Sequence, residues 1–299
     1  MSGSSCKIPS ESDSKVTLGP PILSEIEHKT LQLHGFRIDA LLATGAFSRV
    51  YRGFLRNGDH EEALAIKIVD LRDPPRFLKR EIDILASIVH PHIVSLHTLF
   101  VSDGACFIVT RLAASGDLLD YIIKNGAIPE YKAKFWTKQI AEAIQYLHSQ
   151  DIVHRDLKCE NILLTEELHV QLADFGFAKF LPHGQLSHGY SETYCGSMSY
   201  VAPEILRARP YKSKPADLWS FGVIVFIVLN AQVPFDAPSL QGILRLQLKR
   251  AYKFRRSLRK HISRDVKSLV GHLLQPKVRK RYTIEEVLRS RWLTLEEPY

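Results

Sequence analysis

Two charged residues set inside apolar patterns constrain this chain more than any other feature. Residues 63–69 read Ala-Leu-Ala-Ile-Lys-Ile-Val and alternate as a strand, which puts Ala65, Lys67 and Val69 on one face. In the segment 76–89 that follows, Phe77, Glu81, Leu85 and Ile88 fall at spacings of four, four and three, so Glu81 shares the apolar stripe of a helix. Burying either charge alone is costly, and pairing Lys67 with Glu81 resolves both anomalies together. The alternative is that both long side chains snorkel to water. A second constraint lies downstream, where His154-Arg155-Asp156-Leu157-Lys158-Cys159-Glu160-Asn161 precedes Asp174-Phe175-Gly176. Two acids, an amide and a lysine in one loop are equipment for handling phosphate. Asp156 can orient a hydroxyl, while Asn161 and Asp174 offer the oxygen donors that magnesium ions require.

Composition narrows the classes of protein without choosing among them. At 299 residues and 45% hydrophobic content the chain has material for one large domain or two small ones. The longest apolar run, 218–229, is interrupted by Ser220 and Gly222 and is shorter than the ~20 residues a bilayer span needs, so it reads as a buried helix. Residues 1–14 are rich in serine and lack the apolar core of a signal peptide, which argues against secretion. Cys6, Cys106, Cys159 and Cys195 have no metal-type spacing and read as reduced thiols of a cytoplasmic protein. Much of the net charge of +8 sits between Arg245 and Lys260. A solvated basic surface is the simpler reading of that run. A nuclear-import patch is the rival, and no nucleic-acid-binding motif accompanies it.

Along the chain, residues 1–33 lack sustained periodicity and are expected to form a flexible extension with a short helical piece near Glu25. Apolar runs at 92–100 and 106–112 read as strands around a turn at Asp103-Gly104. The segment Ala113-Ala114-Ser115-Gly116-Asp117 then separates a strand-rich region from a helical one. Helical periodicity over Ala133, Trp136, Ile140, Ala143, Ile144 and Leu147 leads into the phosphate-handling loop. Asp217 stands before the 218–229 helix, where an acid reads as a cap. Thr283-Ile284-Glu285-Glu286 is a capping box.

Taken together, Lys67, Glu81, Asp156, Lys158, Asn161, Asp174-Phe175-Gly176 and Ala202-Pro203-Glu204, in this order, resemble a eukaryotic protein kinase over roughly Phe36 to Trp292. Lys158 after Asp156-Leu157 matches the serine/threonine class. Asp174-Phe175-Gly176-Phe177-Ala178-Lys179 and Thr193-Tyr194-Cys195-Gly196-Ser197 resemble the calmodulin-dependent-kinase-like group. Cys159 and Ser115-Gly116-Asp117-Leu118-Leu119 resemble the testis-specific serine kinases most, which by resemblance alone points to spermatogenesis.

The resemblance implies an α+β, two-lobed fold: an antiparallel sheet with one helix over residues 34–111, a hinge at 112–116, a helical lobe over 117–293 and a tail at 294–299, with ATP in the cleft. It implies that Lys67 holds the α- and β-phosphates and that Glu81 fixes Lys67. Leu42, Gly45, Val50, Ala65 and Leu163 would surround the nucleotide. Arg111 and Ala113 would meet the adenine edge through their backbone, with Thr110 at the back of the pocket. Asp156 would serve as base, Lys158 would neutralise the moving phosphoryl group, and Asn161 and Asp174 would hold Mg2+, with Glu160 also near the nucleotide. Leu85, Leu96, His154 and Phe175 would stack as a column. Asp217 would brace the catalytic loop, and Arg281 would pair with Glu204.

Thr193 would be an activating phosphorylation site read by Arg155, with an upstream kinase as one source of the phosphate. Asp117, Glu160 and Ser197 would select protein substrates, the two acids favouring basic residues upstream of the target. The chain departs from the pattern in the turn over the phosphates, Ala43-Thr44-Gly45-Ala46-Phe47-Ser48, where only the middle glycine of three remains. That departure keeps open a second reading, a pseudokinase acting as a scaffold. Neither a membrane nor a nucleic acid is implied as a partner.

Overall fold

The computed structural model describes residues 23–45, 47–57, 60–182, 190–191, 198–207 and 210–295. The chain divides into two compact units. The smaller reaches His90 and resumes over Val94–Ala114, while the larger takes Pro91–Ile93 and everything from Ser115 onward.

The smaller unit is built on a five-stranded antiparallel sheet of β1 (Phe36–Thr44), β2 (Ser48–Asn57), β3 (His60–Asp70), β4 (Leu96–Ser102) and β5 (Ala105–Arg111), in the order β1-β2-β3-β5-β4. Helices α1 (Glu25–Leu33) and α2 (Leu78–Ser87) complete it. Alternation along β3 divides its residues between two faces. Leu64, Ile66 and Ile68 enter a core with Leu31, Phe36, Tyr51, Phe107 and Val109, whereas Ala65 and Lys67 stay partly exposed on the other face. Gly53 stands at a point of close approach, where a Cβ would meet Ile66 Cδ1 at 2.6 Å and oblige that side chain to shift within the core.

Helix α1 is the short helical piece expected near Glu25, and it is docked on the sheet; residues 1–22 of the expected extension lie outside the described residues. Ser24 and Glu27 form a reciprocal capping box at its start, and Leu31, 0% exposed, lies in the sheet core. A nine-residue helix is marginal alone, so its stability comes from this docked face.

The expected strand at 92–100 is also shorter than its apolar pattern. Only Leu96–Ser102 joins the sheet. Ile93 instead bridges to Leu172, and the His92 carbonyl accepts from Leu172 N at 2.9 Å, so this stretch belongs to the larger unit.

The larger unit is mostly helical: α3 (Leu118–Asn125), α4 (Glu130–Ser149), α5 (Pro203–Leu206), α6 (Ser213–Asn230), α7 (Leu240–Leu248), α8 (Arg264–Leu273), α9 (Ile284–Leu288) and α10 (Arg291–Thr294). Short antiparallel pairs join them: β6 (Ile152–Val153) with β9 (Lys179–Phe180), β7 (Ile162–Leu164) with β8 (Val170–Leu172), and β10 (Tyr190–Ser191) with β11 (Tyr211–Lys212). The predicted stripe of α4 is buried at every one of its six positions. Helix α6 is apolar all round and forms the centre of this unit, its residues from Phe221 to Asn230 all buried. Among the described residues, no helix is long and apolar enough to cross a membrane.

Replacing Leu31 with alanine tests the docking of α1. The substitution is expected to cost about 2–5 kcal/mol, the range for deleting a buried leucine side chain, measured by chemical denaturation with a probe in the smaller unit. A change near zero would mean that the helix is undocked in solution.

Candidate active site

In the smaller unit, the residues named for nucleotide contact gather on one face of the sheet. Val50 pairs across strands with Lys67, and Ala65 with Thr110. Cross-strand partners share a face, so these four form a contiguous patch opposite the α1 core. Lys67 Nζ lies 2.5 Å from Glu81 Oε1, with the two side chains 27% and 7% exposed. Glu81 is buried in the α2 stripe with Leu78, Ile84 and Leu85, so the pairing inferred from the sequence is formed. Burial and the Glu81 charge push the nearby Cys106 thiol above its ordinary pKa, with Lys67 opposing.

Leu42 falls at an irregularity of the β1–β2 register, between the Leu41 and Ala43 pairings, and is exposed. At the turn, Gly45 N donates to the Ser48 carbonyl at 2.7 Å. A Cβ on Gly45 would meet Ser48 Oγ at 3.4 Å, an ordinary contact, so space alone does not demand glycine there. Arg111 N donates to the Ser95 carbonyl at 3.2 Å, and Ala113 is buried.

In the larger unit, the loop from His154 to Asn161 is held from beneath by Asp217. Its Oδ2 accepts from His154 N at 3.0 Å and from His148 Nε2 at 3.0 Å, and its Oδ1 accepts from Arg155 N at 2.8 Å. Helix α6 begins at Ser213, so Asp217 is an interior helical residue rather than a cap; its role is the brace. The loop is bent enough that Arg155 has φ 67°. Arg155 Nε donates to the Phe177 carbonyl at 2.8 Å, tying the loop to the segment after Asp174. His154 Nε2 donates to the Ala173 carbonyl at 3.0 Å, and its ring lies 5.1 Å from that of Phe175, so His154 packs and positions. Of the proposed column, Leu85 is buried in the smaller unit, and His154 and Phe175 in the larger.

The Asp156 carboxylate is the centre of this arrangement. It is buried, with Lys158 Nζ 3.0 Å from Oδ2. Asn161 Nδ2 donates to the Asp156 carbonyl at 2.9 Å and to Oδ2 at 3.2 Å. Burial alone would lower the Lys158 pKa, but Asp156, with Glu160 and Asp174 beyond it, raises it above the ordinary lysine value. With its amide nitrogen engaged by Asp156, Asn161 has its oxygen for a cation. Asp174 is exposed at φ 60°, its Oδ1 accepting from Gly176 N at 3.2 Å. One amide oxygen and one carboxylate suit a hard ion that completes its shell with phosphate and water. Among the described residues, no group of three or more His, Cys, Asp or Glu is placed to hold a metal by itself.

Glu160 and Asp117 form an acidic site beside this loop. Asp117 Oδ1 caps α3 by accepting from Asp120 N at 2.9 Å. Glu160 Oε2 accepts from the Tyr200 hydroxyl at 3.2 Å, and that hydroxyl accepts from Cys159 N at 3.3 Å. Burial raises the Glu160 pKa, and the Asp117 charge adds to the rise against Lys158 and Tyr200. Tyr200 is a site residue that sequence reasoning misses; nothing about a tyrosine three positions before Pro203 announces this contact. Burial also raises the Cys159 thiol far above its ordinary range, so it is an inert packing group. Leu163 is half-buried in β7. Farther along, Arg281 grips Glu204 with two bonds of 2.6 and 2.9 Å. Thr193 and Ser197 lie outside the described residues.

A sheet-and-helix unit carrying a partly buried Lys-Glu pair, followed by a helical unit carrying a braced Asp-Lys-Asn loop, defines a phosphoryl-transfer enzyme of the protein kinase class. A family model for the protein kinase domain matches residues 36–293, and the chain belongs to that family, with its two-lobed fold. It is 38% identical to testis-specific serine/threonine-protein kinase 2 of Mus musculus over 90% of this chain and 76% of that protein. It is also 38% identical to testis-specific serine/threonine-protein kinase 3 of the same organism, over 87% of this chain and 96% of that one. Serine/threonine-protein kinase SIK2 of Gallus gallus is 34% identical over 91% of this chain and 34% of its own length. The chain is a protein serine/threonine kinase similar to the testis-specific members.

The raised Glu160 pKa has a thermodynamic consequence. Between the ordinary glutamate value and the raised one, the folded chain binds more protons than the unfolded chain, so this group's contribution to stability falls as pH rises through that window. Relative to Glu160→Gln, the wild type is expected to lose melting temperature as pH rises above the ordinary glutamate range. Parallel melting curves for the two proteins would refute it.

Proposed function

We propose that this kinase transfers the γ-phosphoryl group of Mg-ATP to serine or threonine hydroxyls of proteins that carry basic residues upstream of the target. The observation that carries the reading is the Asp156 carboxylate, buried and held between Lys158 Nζ at 3.0 Å and Asn161 Nδ2 at 3.2 Å. Asp156 accepts a hydrogen bond from the incoming hydroxyl and orients its oxygen for in-line attack. Lys158, whose charge Asp156 supports against burial, stabilises the equatorial oxygens of the transferring group. Lys67, fixed by Glu81, holds the nucleotide phosphates, and the patch of Val50, Ala65 and Thr110 receives the base together with Leu42 and the backbone of Arg111 and Ala113. Gly45 and its turn cover the phosphates. Asn161 and Asp174 would hold magnesium, which when bound screens the phosphate charges. Most of this catalysis is positioning and charge stabilisation.

Asp117 and Glu160 supply the acidic site for an upstream arginine, and Ser197 lies in the segment that would meet the substrate. Phosphorylation of Thr193 is the proposed activating event, with Arg155 reading the new charge. A cytoplasmic location is read from the cysteine usage, with nuclear entry through the basic surface as the variant, and a role in sperm development from the resemblance. The rival is a catalytically weak scaffold, favoured by Ala43 and Ser48 in the phosphate-covering turn and opposed by the formed Lys67–Glu81 and Asp156–Lys158 pairs.

Phosphate transfer to a panel of basic peptides with Mg-ATP decides between them. Asp174→Asn is expected to reduce kcat by at least about a hundredfold, since it removes a cation ligand at the transferring group. Equal, negligible signals from wild type and variant would establish the scaffold. Thr193→Ala is expected to lower kcat about tenfold or more through loss of the ordering phosphate. Full activity in the purified variant would remove the regulatory role.

A further inference from the structure

Helix α1 touches the sheet on the face opposite the nucleotide patch, and its most polar contact falls at the base of the phosphate-covering turn. Arg49 pairs with Ile68 across the strands and so points to the α1 face, while its neighbour Val50 points to the nucleotide face. Glu27 divides its two oxygens. Oε2 accepts from Ser24 N at 2.9 Å and closes the helix cap, and Oε1 accepts from Arg49 Nη2 at 2.5 Å. The pair is well shielded, with Glu27 12% and Arg49 34% exposed. Arg49 Nη1 also donates to the hydroxyl of Tyr51 at 3.3 Å, and Tyr51 is fully buried in the core that holds Leu31. At the far end of the helix, the His34 ring stacks on Phe100 at 3.9 Å, and Phe100 on Phe107 at 4.8 Å. The helix is therefore fixed at both ends, once through charge and once through rings.

Arg49 directly follows Ser48, whose carbonyl closes the turn on Gly45. A turn carrying one glycine where the family pattern has three explores fewer backbone conformations. Where such a turn lies is set mainly by where its two strands begin and end.

We propose that the Glu27–Arg49 ion pair makes α1 a positioning element for the strand end at Ser48–Val50 that closes the phosphate-covering turn on Gly45, so that nucleotide affinity in this kinase depends on a helix outside the family's matched region. This rests on the assignment of the patch opposite as the ATP site. Glu27 and Arg49 touch no substrate; they act through the strand that carries Ser48 and Val50.

The full-length chain tests this with Glu27→Gln, Arg49→Gln, the double variant and Arg49→Lys. Glutamine at the third helical position keeps the capping box, so Glu27→Gln removes the charge and leaves the cap. Each glutamine variant is expected to raise the KM for Mg-ATP about fivefold, the effect of a half-shielded ion pair, with kcat and the peptide KM unchanged. The double variant is expected to equal either single one, and Arg49→Lys to recover most of the affinity. Hydrogen exchange at the backbone amides of residues 42–50 is expected to quicken in step.

An unchanged KM for Mg-ATP in all variants would overturn the proposal. So would a loss shared equally by kcat, peptide KM and melting temperature, which is the signature of a merely structural contact. A wild type that binds no Mg-ATP would overturn the nucleotide assignment beneath it, and is told apart because exchange at 42–50 would still respond to Glu27→Gln.

Discussion

The carboxylate of Asp217 is the constraint on which the catalytic loop depends. It sits five residues into the buried α6, 2% exposed, and accepts from His154 N, Arg155 N and His148 Nε2. A buried carboxylate needs such donors, because stripped of water it has no other compensation. The loop in turn needs this acceptor, since the left-handed Arg155 turns two successive amides the same way. Helix α6 supplies the rigidity, being packed on all sides. The order that reaches Asp156, Lys158 and Asn161 thus starts in the core of the larger unit, as the preorganisation of charge in a catalytic site requires.

The smaller unit solves a different problem, which is to use both faces of one sheet. One face holds the Lys67–Glu81 pair and the patch around Val50 and Ala65, where polar atoms must remain available. The other is closed by α1 through Leu31 and the stacked rings of His34, Phe100 and Phe107. A sheet whose one face keeps polar groups partly exposed takes its stability from the opposite face. That is the physical reason for a helix before β1, and the Glu27–Arg49 pair lies at the edge of that packed face.

Much of this was legible in the chain. Lys67 and Glu81 stood out because each broke an apolar period, and a buried charge demands a partner. The α4 stripe and the box at Thr283 and Glu286 follow from local spacing, and both form as read. Other parts were not legible. A short helix near Glu25 was expected, but the sheet face on which it docks through Leu31 was not. Ile93 looks like the start of a strand but pairs with Leu172, a partner nearly eighty residues away in sequence. Tyr200 reaches Glu160 only because α5 and the loop are folded together.

The sequence alone determined the family and the pairing of Lys67 with Glu81, because these rest on residue type, spacing and the cost of isolated charge. Tertiary structure alone decided that Asp217 lies inside α6 and meets three donors, that the partly buried Glu160 meets the Tyr200 hydroxyl and has a raised pKa, and that α1 is docked. The reason is common to all three. A side chain's partners across long separations in sequence are set by how elements pack, and the periodicity of one element carries no record of the face that another will present to it.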